Sequence, residues 1–510
     1  MSSDGLRGLI NESRKAGDLD ARDMKNRRAE AGKAATLSNM FDQSIRGFLQ
    51  TLERKGELVR FDKQVDPDAN MAAIEWRACN ELGKASLFTD IKGHPGWQAC
   101  SQILSDRGKW ALALNLAEDE LLPGLNRKLT SRIAPVVEDT PSAPCQEVVL
   151  TGDEASLLDI PAMLSSEHDG GKFLASGMAI IKDPETGIRN VSVHRQHIYD
   201  AHHTGFVMLP RQARRIYDMY KAQGRHMPAA VVIGAHPAIM FSSGFVTGYG
   251  DDEFAIAGAL LGDPVRMVKC KTIDMEVPAD AEIVIEGEVL CDEIRPEGPY
   301  GEIPGTYAKA GTAEVFRVKA ITRRRSAIYY ALHCGAPTTE TQATTGLAIE
   351  LATWDHLQKV EGGLDLLDVR CHPAGAMMML VIKLRPRVAG QAKTALMAAL
   401  SGPFLHPKLA IAVDDDIDAN DLRQVMWSMT TRVHAEKDID MIENTRVFAL
   451  DNVSPFVGDN PFHRIGTKWL IDATKPPPSD PEGRERFTRA MPRNFDDVKL
   501  EDFLPEEIFR

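Results

Sequence analysis

Between Gly177 and Thr322 the chain repeats one texture: short runs of β-branched and apolar residues, each closed by Gly, Pro or Asp. The runs "GMAIIKD", "NVSVHRQHI", "AAVVIGA", "VRMVKCKTI", "AEIVIEGEV" and "FRVKAIT" all carry it. Such side chains fit a pleated, half-buried surface, and the punctuation between them marks strand ends. The first two runs are joined by "DPETG", a turn by composition. Helical stretches such as "RQARRIYDMYKAQG" are few among them. The region therefore reads as a β-barrel-like domain rather than a doubly wound sheet.

The flanks have a different texture. In "SIRGFLQTLERKGELVRF", Ile45, Phe48, Leu49 and Leu52 recur at helical spacing, and Gly56 can stop the helix before the strand "ELVRF". This opens an N-terminal α/β domain, expected over 41–135, which ends near the Pro-rich junction "DTPSAPCQEVVL". The β-rich domain is expected over 136–325. From 326 to 510 the α/β texture returns, with helices in "GLAIELATWDHLQKV" and "GQAKTALMAALSG", strands in "AMMMLVIKL" and "LAIAVDDDID", and a turn-rich tail after Lys475. Residues 1–40 are charged and Ala-rich and read as a solvated helical extension. A chain of 510 residues has room for about three domains at roughly 100 to 200 residues each.

Composition narrows the possible partners. There are 73 acidic and 60 basic residues, a net charge of −13, and no basic stripe, which argues against a nucleic-acid surface. The seven cysteines contain no CxxC pair, and their odd number suits free thiols in a reducing compartment, so the expected location is cytoplasmic. The longest apolar run, Ala374 to Ile382, is about half a membrane span, so no membrane partner is expected.

Three stretches could carry chemistry. In "RPEGPYGEIPG", Gly298, Pro299 and Gly301 restrict and reverse the chain, so Glu297 and Glu302 can return to one side of a tight bend. Two acids held that close cannot both ionise freely, which suits general acid work at neutral pH. A solvated loop that happens to hold two glutamates fits the same letters. In "NVSVHRQHIYDAHH", Asn190, Ser192 and His194 share one face of a strand and Arg195 falls on the other, so Asn190 and Arg195 converge only if the strand twists or bulges. Arg195 reads either as a clamp for a carboxylate or as half of a buried ion pair. His194, His197, His202 and His203 match no zinc spacing. In "SSGFVTGYGDDEFAIAGALLGDP", small residues ahead of a helix suit a phosphate or a cation, and Glu253 stands at the helix start. Asp251, Asp252 and Glu253 equally suit the helix dipole. No GxGxxG follows a strand and no P-loop is present, and the acids of "AVDDDIDANDLRQVMW" read as strand-end and capping residues.

Taken together, six stretches in order resemble the UbiD-like family of prenylated-FMN-dependent (de)carboxylases over about residues 42 to 475. They are "SIRGFLQTLERKGELVRF", "GMAIIKDPETGIRNVSVHRQ", "DDEFAIAGALLGDPVRMVKCKTIDMEVPADAEIVIEGEV", "EGPYGEIPGTY", "VDDDIDANDLRQVMWSMTTR" and "GTKWLIDAT". The resemblance implies an α+β, multi-domain fold with a central split β-barrel (flavin-reductase-like) between N- and C-terminal α/β domains. It implies that Arg195, Glu297 and Glu302 form an Arg-Glu-Glu network, with Glu302 the proton donor or acceptor at the reacting carbon. Asn190 and Glu253 fall on ligands of a divalent metal, usually Mn2+, that bridges to the cofactor phosphate. Gln212 stands where some members place a further metal-ligating histidine, and a neutral amide is a poorer ligand. Ser243 and Phe245 match a backbone stretch that holds K+ and lines the cofactor, Val193 and His194 lie beside it, and Lys468 matches a basic residue near the phosphate.

The implied activity is reversible, non-oxidative decarboxylation of an aromatic, heteroaromatic or α,β-unsaturated carboxylic acid. Prenylated FMN is the electron sink, and a flavin prenyltransferase supplies it. Homo-oligomers, dimeric or hexameric, are implied as well. Ile303, Pro304, His194 and "GDNPFHRIG" are candidate pocket residues. Two other functions fit the barrel: a flavin-dependent oxidoreductase, and a non-catalytic flavin-binding subunit of a carboxylase complex.

Overall fold

Seven antiparallel strands build the central sheet of the computed structural model. It describes residues 42–505 and 508, apart from 141, 246–247, 336–337, 361–362 and 459–462. The expected extension at 1–40 and part of the "GDNPFHRIG" segment lie outside the described residues. The strands run in the order His203–Phe206, Gly311–Arg323, Ile283–Glu297, Met227–Ile233, Met178–Lys182 and Arg189–Val193, and Val148–Thr151 also pairs with Gly311–Arg323. Among the described residues this hydrogen-bonded path does not close on itself.

The "DPETG" turn forms as its letters imply: the Asp183 carboxylate accepts the Glu185 and Thr186 amides at 2.8 and 2.9 Å, which joins Met178–Lys182 to Arg189–Val193. The "VRMVKCKTI" segment forms a strand but joins a separate small sheet, where Arg266–Lys269 pairs with Glu276–Pro278 and Val136–Val137.

The helix Ile45–Arg54 buries Ile45, Phe48, Leu49 and Leu52, the apolar positions its period picks out, and Ser44 caps it by accepting the Gly47 amide. It precedes a sheet of Leu58–Phe61, Ala85–Phe88 and Gln98–Ser101, completed by Ile328–Tyr330 from far along the chain. The chain thus returns to its first sheet before it enters the C-terminal region.

There a mixed five-stranded sheet runs Leu366–Cys371, Met379–Leu384, Leu409–Val413, Arg464–Ala473 and Ile439–Val447. The helix Glu340–Leu357 starts earlier than its apolar run suggests. Thr339 and Gln342 form a capping box that holds its first turn. The result is a mixed α+β, multi-domain fold, and among the described residues no helix is long and apolar enough to cross a membrane.

Candidate active site

The strand Ile283–Glu297 ends where Gly298 takes φ +81°, a conformation that glycine adopts without strain. The short strand Tyr300–Gly301 then pairs back with Tyr307–Ala308. Glu302 sits at the head of this hairpin, with its amide donating to the Thr306 carbonyl at 2.9 Å and its carbonyl accepting from the Gly305 amide at 2.8 Å. The turn therefore brings both acids to one guanidinium. Arg195 grips Glu297 in a bidentate pair, Nε to Oε1 at 2.8 Å and Nη2 to Oε2 at 3.0 Å, while Nη1 bonds Glu302 Oε1. The Tyr300 ring lies 5.0 Å from the same guanidinium. Glu297 is 3% exposed, Glu302 14% and Arg195 19%, so the outer edge of the set is reachable and its inner edge is not.

Arg195 reaches this position by a change of sheet. The strand Arg189–Val193 stops before His194, and Gln196–His197 pairs instead with Phe173–Leu174. Strand alternation thus lapses at Arg195. Asn190 and Arg195 serve different clusters.

Asn190, which is buried, places Nδ2 3.1 Å from Glu253 Oε1 and 3.1 Å from Gln212 Oε1. Glu253 Oε2 accepts the Val191 amide at 3.1 Å. Gln212 and Glu253 each open a helix, Gln212–Ala222 and Glu253–Leu261, so two helix starts meet one strand. Asp252 caps the second helix through the Phe254 amide and also accepts Arg189 Nη2 at 2.6 Å, which fixes the neighbours of Glu253 and Asn190 together. Gln212 and Glu253 each turn an oxygen toward Asn190, and with the Asn190 amide turned over its own oxygen would join them, a set that suits a hard divalent cation.

The remaining candidates make no hydrogen bond to the Arg195 set among the described residues. Val193 is 36% exposed, high for an apolar residue beside a charged cluster. His194 stacks on Phe206, and its two ring nitrogens meet the Val207 carbonyl and the Ser192 hydroxyl. Burial lowers its pKa, which favours the neutral ring. Ser243 ends the helix Pro237–Ser242 and donates to the Met240 carbonyl, and Phe245 meets Phe241 edge-on at 5.0 Å. Lys468 is 5% exposed and donates to the Leu400 carbonyl at 2.8 Å, and burial lowers its pKa. It has no carboxylate partner among the described residues. His406 is pushed down to about 3 by burial and then by the Arg211 and Lys468 charges, and its buried Nδ1 has no hydrogen-bond partner among the described residues. A buried ammonium with no counter-ion among the described residues suits an anionic group such as a phosphate.

His197 stacks on Phe173, and His202 and His203 bond to the Ala155 carbonyl and Asp200, so these histidines do not gather round an ion. Among the described residues the only group of three His, Cys, Asp or Glu side chains close enough to share a metal ion is His226, Cys291 and Asp292, and there the Cys291 amide bonds His226 Nδ1. The "VDDD" acids are each paired: Asp414 with Arg484, Asp415 with Arg385 and Asp416 with Arg432.

Sequence reasoning passed over several buried polar groups behind the hairpin. His333 bonds Glu75, and this attraction outweighs burial and raises the His333 pKa. Glu340 accepts the Tyr330 hydroxyl and the Gln102 and Leu104 amides, and burial pushes it up to about 7. Asp169 accepts the Gly301 amide at 2.8 Å. The available signals were the Thr-x-x-Gln capping pattern before Glu340–Leu357 and the "DGG" after His168.

Three family models match in order along the chain. The N-terminal domain of 3-octaprenyl-4-hydroxybenzoate carboxy-lyase (UbiD) matches residues 49–129, its Rift-related domain 136–337 and its C-terminal domain 342–473. Solved structures agree. The UbiD-class enzyme HmfF from Pelotomaculum thermopropionicum, in complex with FMN, is 31% identical, covers 90% of this chain and 100% of its own, and superposes with a TM-score of 0.84. The vanillic acid decarboxylase of Sedimentibacter hydroxybenzoicus, in an open form, is 29% identical over 92% of this chain and 100% of that one, with a TM-score of 0.79. The 3,4-dihydroxybenzoic acid decarboxylase of Enterobacter cloacae is 27% identical over 91% of this chain and 99% of that one, with a TM-score of 0.83. On the strength of these matches, which span all three regions of the fold, the chain belongs to the UbiD carboxy-lyase family.

Proposed function

We propose that the chain is a reversible, non-oxidative decarboxylase of an aromatic, heteroaromatic or α,β-unsaturated carboxylic acid, working with prenylated FMN. The observation that carries this is the single guanidinium of Arg195 shared by Glu297 and Glu302, in a family whose solved members include HmfF with FMN and an evolved dimeric HmfF with prFMN. Bound prenylated FMN supplies the electron sink that protein side chains lack when a C–CO₂ bond breaks.

The protein's own groups do the rest. Asn190, Glu253 and Gln212 would hold Mn2+ beside the cofactor phosphate, and the unpaired Lys468 ammonium would face that phosphate. Ser243 and Phe245 would present the backbone that binds K+, and Val193 and His194 would line the flavin. The central sheet would curl round it as a split barrel. Glu297, with both oxygens on Arg195, fixes the guanidinium plane, and Arg195 Nη1 is directed at Glu302 and at the substrate carboxylate. As CO₂ leaves, the electron pair of the broken bond needs a proton at the same carbon. Glu302 delivers it from its carboxyl in decarboxylation and takes it back in carboxylation. Exposed apolar residues on the C-terminal region, Met441 at 70%, Met426 at 53% and Trp469 at 37%, favour assembly of copies through that region into dimers or hexamers. A cytoplasmic site of action fits the free thiols.

The test is to express the chain with and without a flavin prenyltransferase and to measure the mass of the small molecule released on denaturation together with CO₂ release from a panel of acids. Prenylated FMN near one per chain, with CO₂ release only in its presence, is the expected result. Unmodified flavin accompanied by NAD(P)H oxidation would point to an oxidoreductase instead.

A further inference from the structure

We infer that Asp169 is a positioning residue for Glu302, holding the hairpin that carries the proton donor; this rests on the decarboxylase reading of the same site. The Asp169 carboxylate accepts two backbone amides, Gly301 on Oδ1 at 2.8 Å and Ser166 on Oδ2 at 3.0 Å. Gly301 immediately precedes Glu302, so the first bond fixes the Tyr300–Gly301 peptide, one peptide unit ahead of the proton donor. The next residue of the loop reinforces it: the Gly170 amide donates to the Pro299 carbonyl at 2.8 Å. A Cβ on Gly170 would fall 2.2 Å from the Gly298 carbonyl oxygen, so the two backbones touch with no room for a side chain. On the other hairpin strand, the His168 amide donates to the Tyr307 hydroxyl at 3.1 Å. The loop thus clasps both strands of the turn.

The clasp is anchored on both sides. Toward the N-terminal region, the Leu164 amide donates to the Pro67 carbonyl at 3.0 Å, and Lys172 pairs with Asp68 at 2.6 Å. From the C-terminal helix, Gln342 Nε2 donates to the Ile303 carbonyl at 2.8 Å. Glu302 is therefore held between two regions of the molecule, and among the described residues Asp169 is the side chain that bonds the residue just before it. A carboxylate is needed because both amides converge on one side chain. An asparagine would turn its own N–H₂ toward one of them and keep a single acceptor. A small misplacement of an acid at a reacting carbon costs rate steeply, on the order of a hundredfold for 1 Å.

The experiment compares wild type, Asp169→Ala and Asp169→Asn in two measurements. The first is amide hydrogen exchange across residues 298–308 in the cofactor-free chain. The second is kcat, KM and the solvent deuterium isotope effect in chain loaded with prenylated FMN. Asp169→Ala is expected to speed exchange at this hairpin and to lower kcat about tenfold to a hundredfold, with KM nearly unchanged and a larger isotope effect as proton delivery becomes limiting. Asp169→Asn, which keeps one acceptor, is expected to fall between, and it serves as the test if the alanine variant does not fold. Unchanged exchange, or faster exchange with unchanged kcat and isotope effect, overturns the inference. A wild-type chain that binds no prenylated flavin and releases no CO₂ overturns the decarboxylase reading instead, and the exchange measurement still decides whether Asp169 holds the hairpin.

Discussion

Two stretches of this chain set acids close together, and the structure uses them in opposite ways. In Asp414–Asp416, each carboxylate has a cation of its own, Arg484, Arg385 and Arg432 respectively. In Glu297 and Glu302, two carboxylates share one guanidinium, at the end of a strand whose last residue is 3% exposed. The first arrangement neutralises every charge and locks the tail onto the C-terminal sheet. The second leaves more acid than base at a partly open edge, where a proton can be exchanged. Crowding of acids in a sequence is therefore uninformative until the number of cations that meet them is known.

Breaking each cluster sharpens the contrast. Glu302→Gln, nearly the same shape but unable to give up a proton, should lower kcat by about 10²- to 10⁴-fold while prenylated FMN stays bound, as read from the absorption spectrum and turnover. Arg195→Met should abolish turnover too and also cost roughly 3 kcal/mol of stability in a denaturant titration, because it strands the buried Glu297 carboxylate. Asn190→Ala or Glu253→Ala should weaken flavin retention at least about tenfold, measured by equilibrium dialysis, with the Arg195 set intact. Asp416→Asn should do the reverse of Glu302→Gln. It loses roughly 1–3 kcal/mol of stability because Arg432 is wholly buried, and turnover per folded molecule is unchanged.

The smallest expected effect is one of pH, at the buried His333–Glu75 pair. Burial opposes the charged ring, but Glu75 prevails and holds the His333 pKa above its ordinary value of 6.5. A raised histidine contributes stability that is fully present below 6.5 and is lost as pH rises through the folded-state value. Stability should therefore decline as pH rises from 6.5 through the raised folded-state value, and His333→Gln should flatten that decline.

The legible parts of the sequence were those governed by local period and turn chemistry. The helix at Ile45–Arg54, the hairpin at Asp183 and the bend after Glu297 all follow from residues within one or two turns of each other. A meeting of Asn190 with Arg195 was legible only as a condition, since alternation along a strand puts the two on opposite faces, and the grouping of Arg195 with the glutamates came from the family resemblance alone. The structure does not bring those two together: the chain moves to another sheet after Val193, which sends Arg195 to the glutamates and depends on a partner strand, Phe173–Leu174, that carries no turn or period signal of its own. Asp169 was not legible for a related reason. Its importance lies in two amides it accepts, one of them 132 residues away, and backbone donors leave no mark on the sequence. The same holds for Glu75, which meets His333 across 258 residues.

Glu302 is proposed to deliver the proton that replaces CO₂. Decarboxylation by the prenylated-FMN-loaded chain in D₂O, followed by NMR of the product, tests it most directly. One deuteron is expected on the carbon that carried the carboxylate, formed by wild type and at least about 10²-fold more slowly by Glu302→Gln at equal cofactor content. A Glu302→Gln enzyme that makes the same deuterated product at the wild-type rate would contradict it.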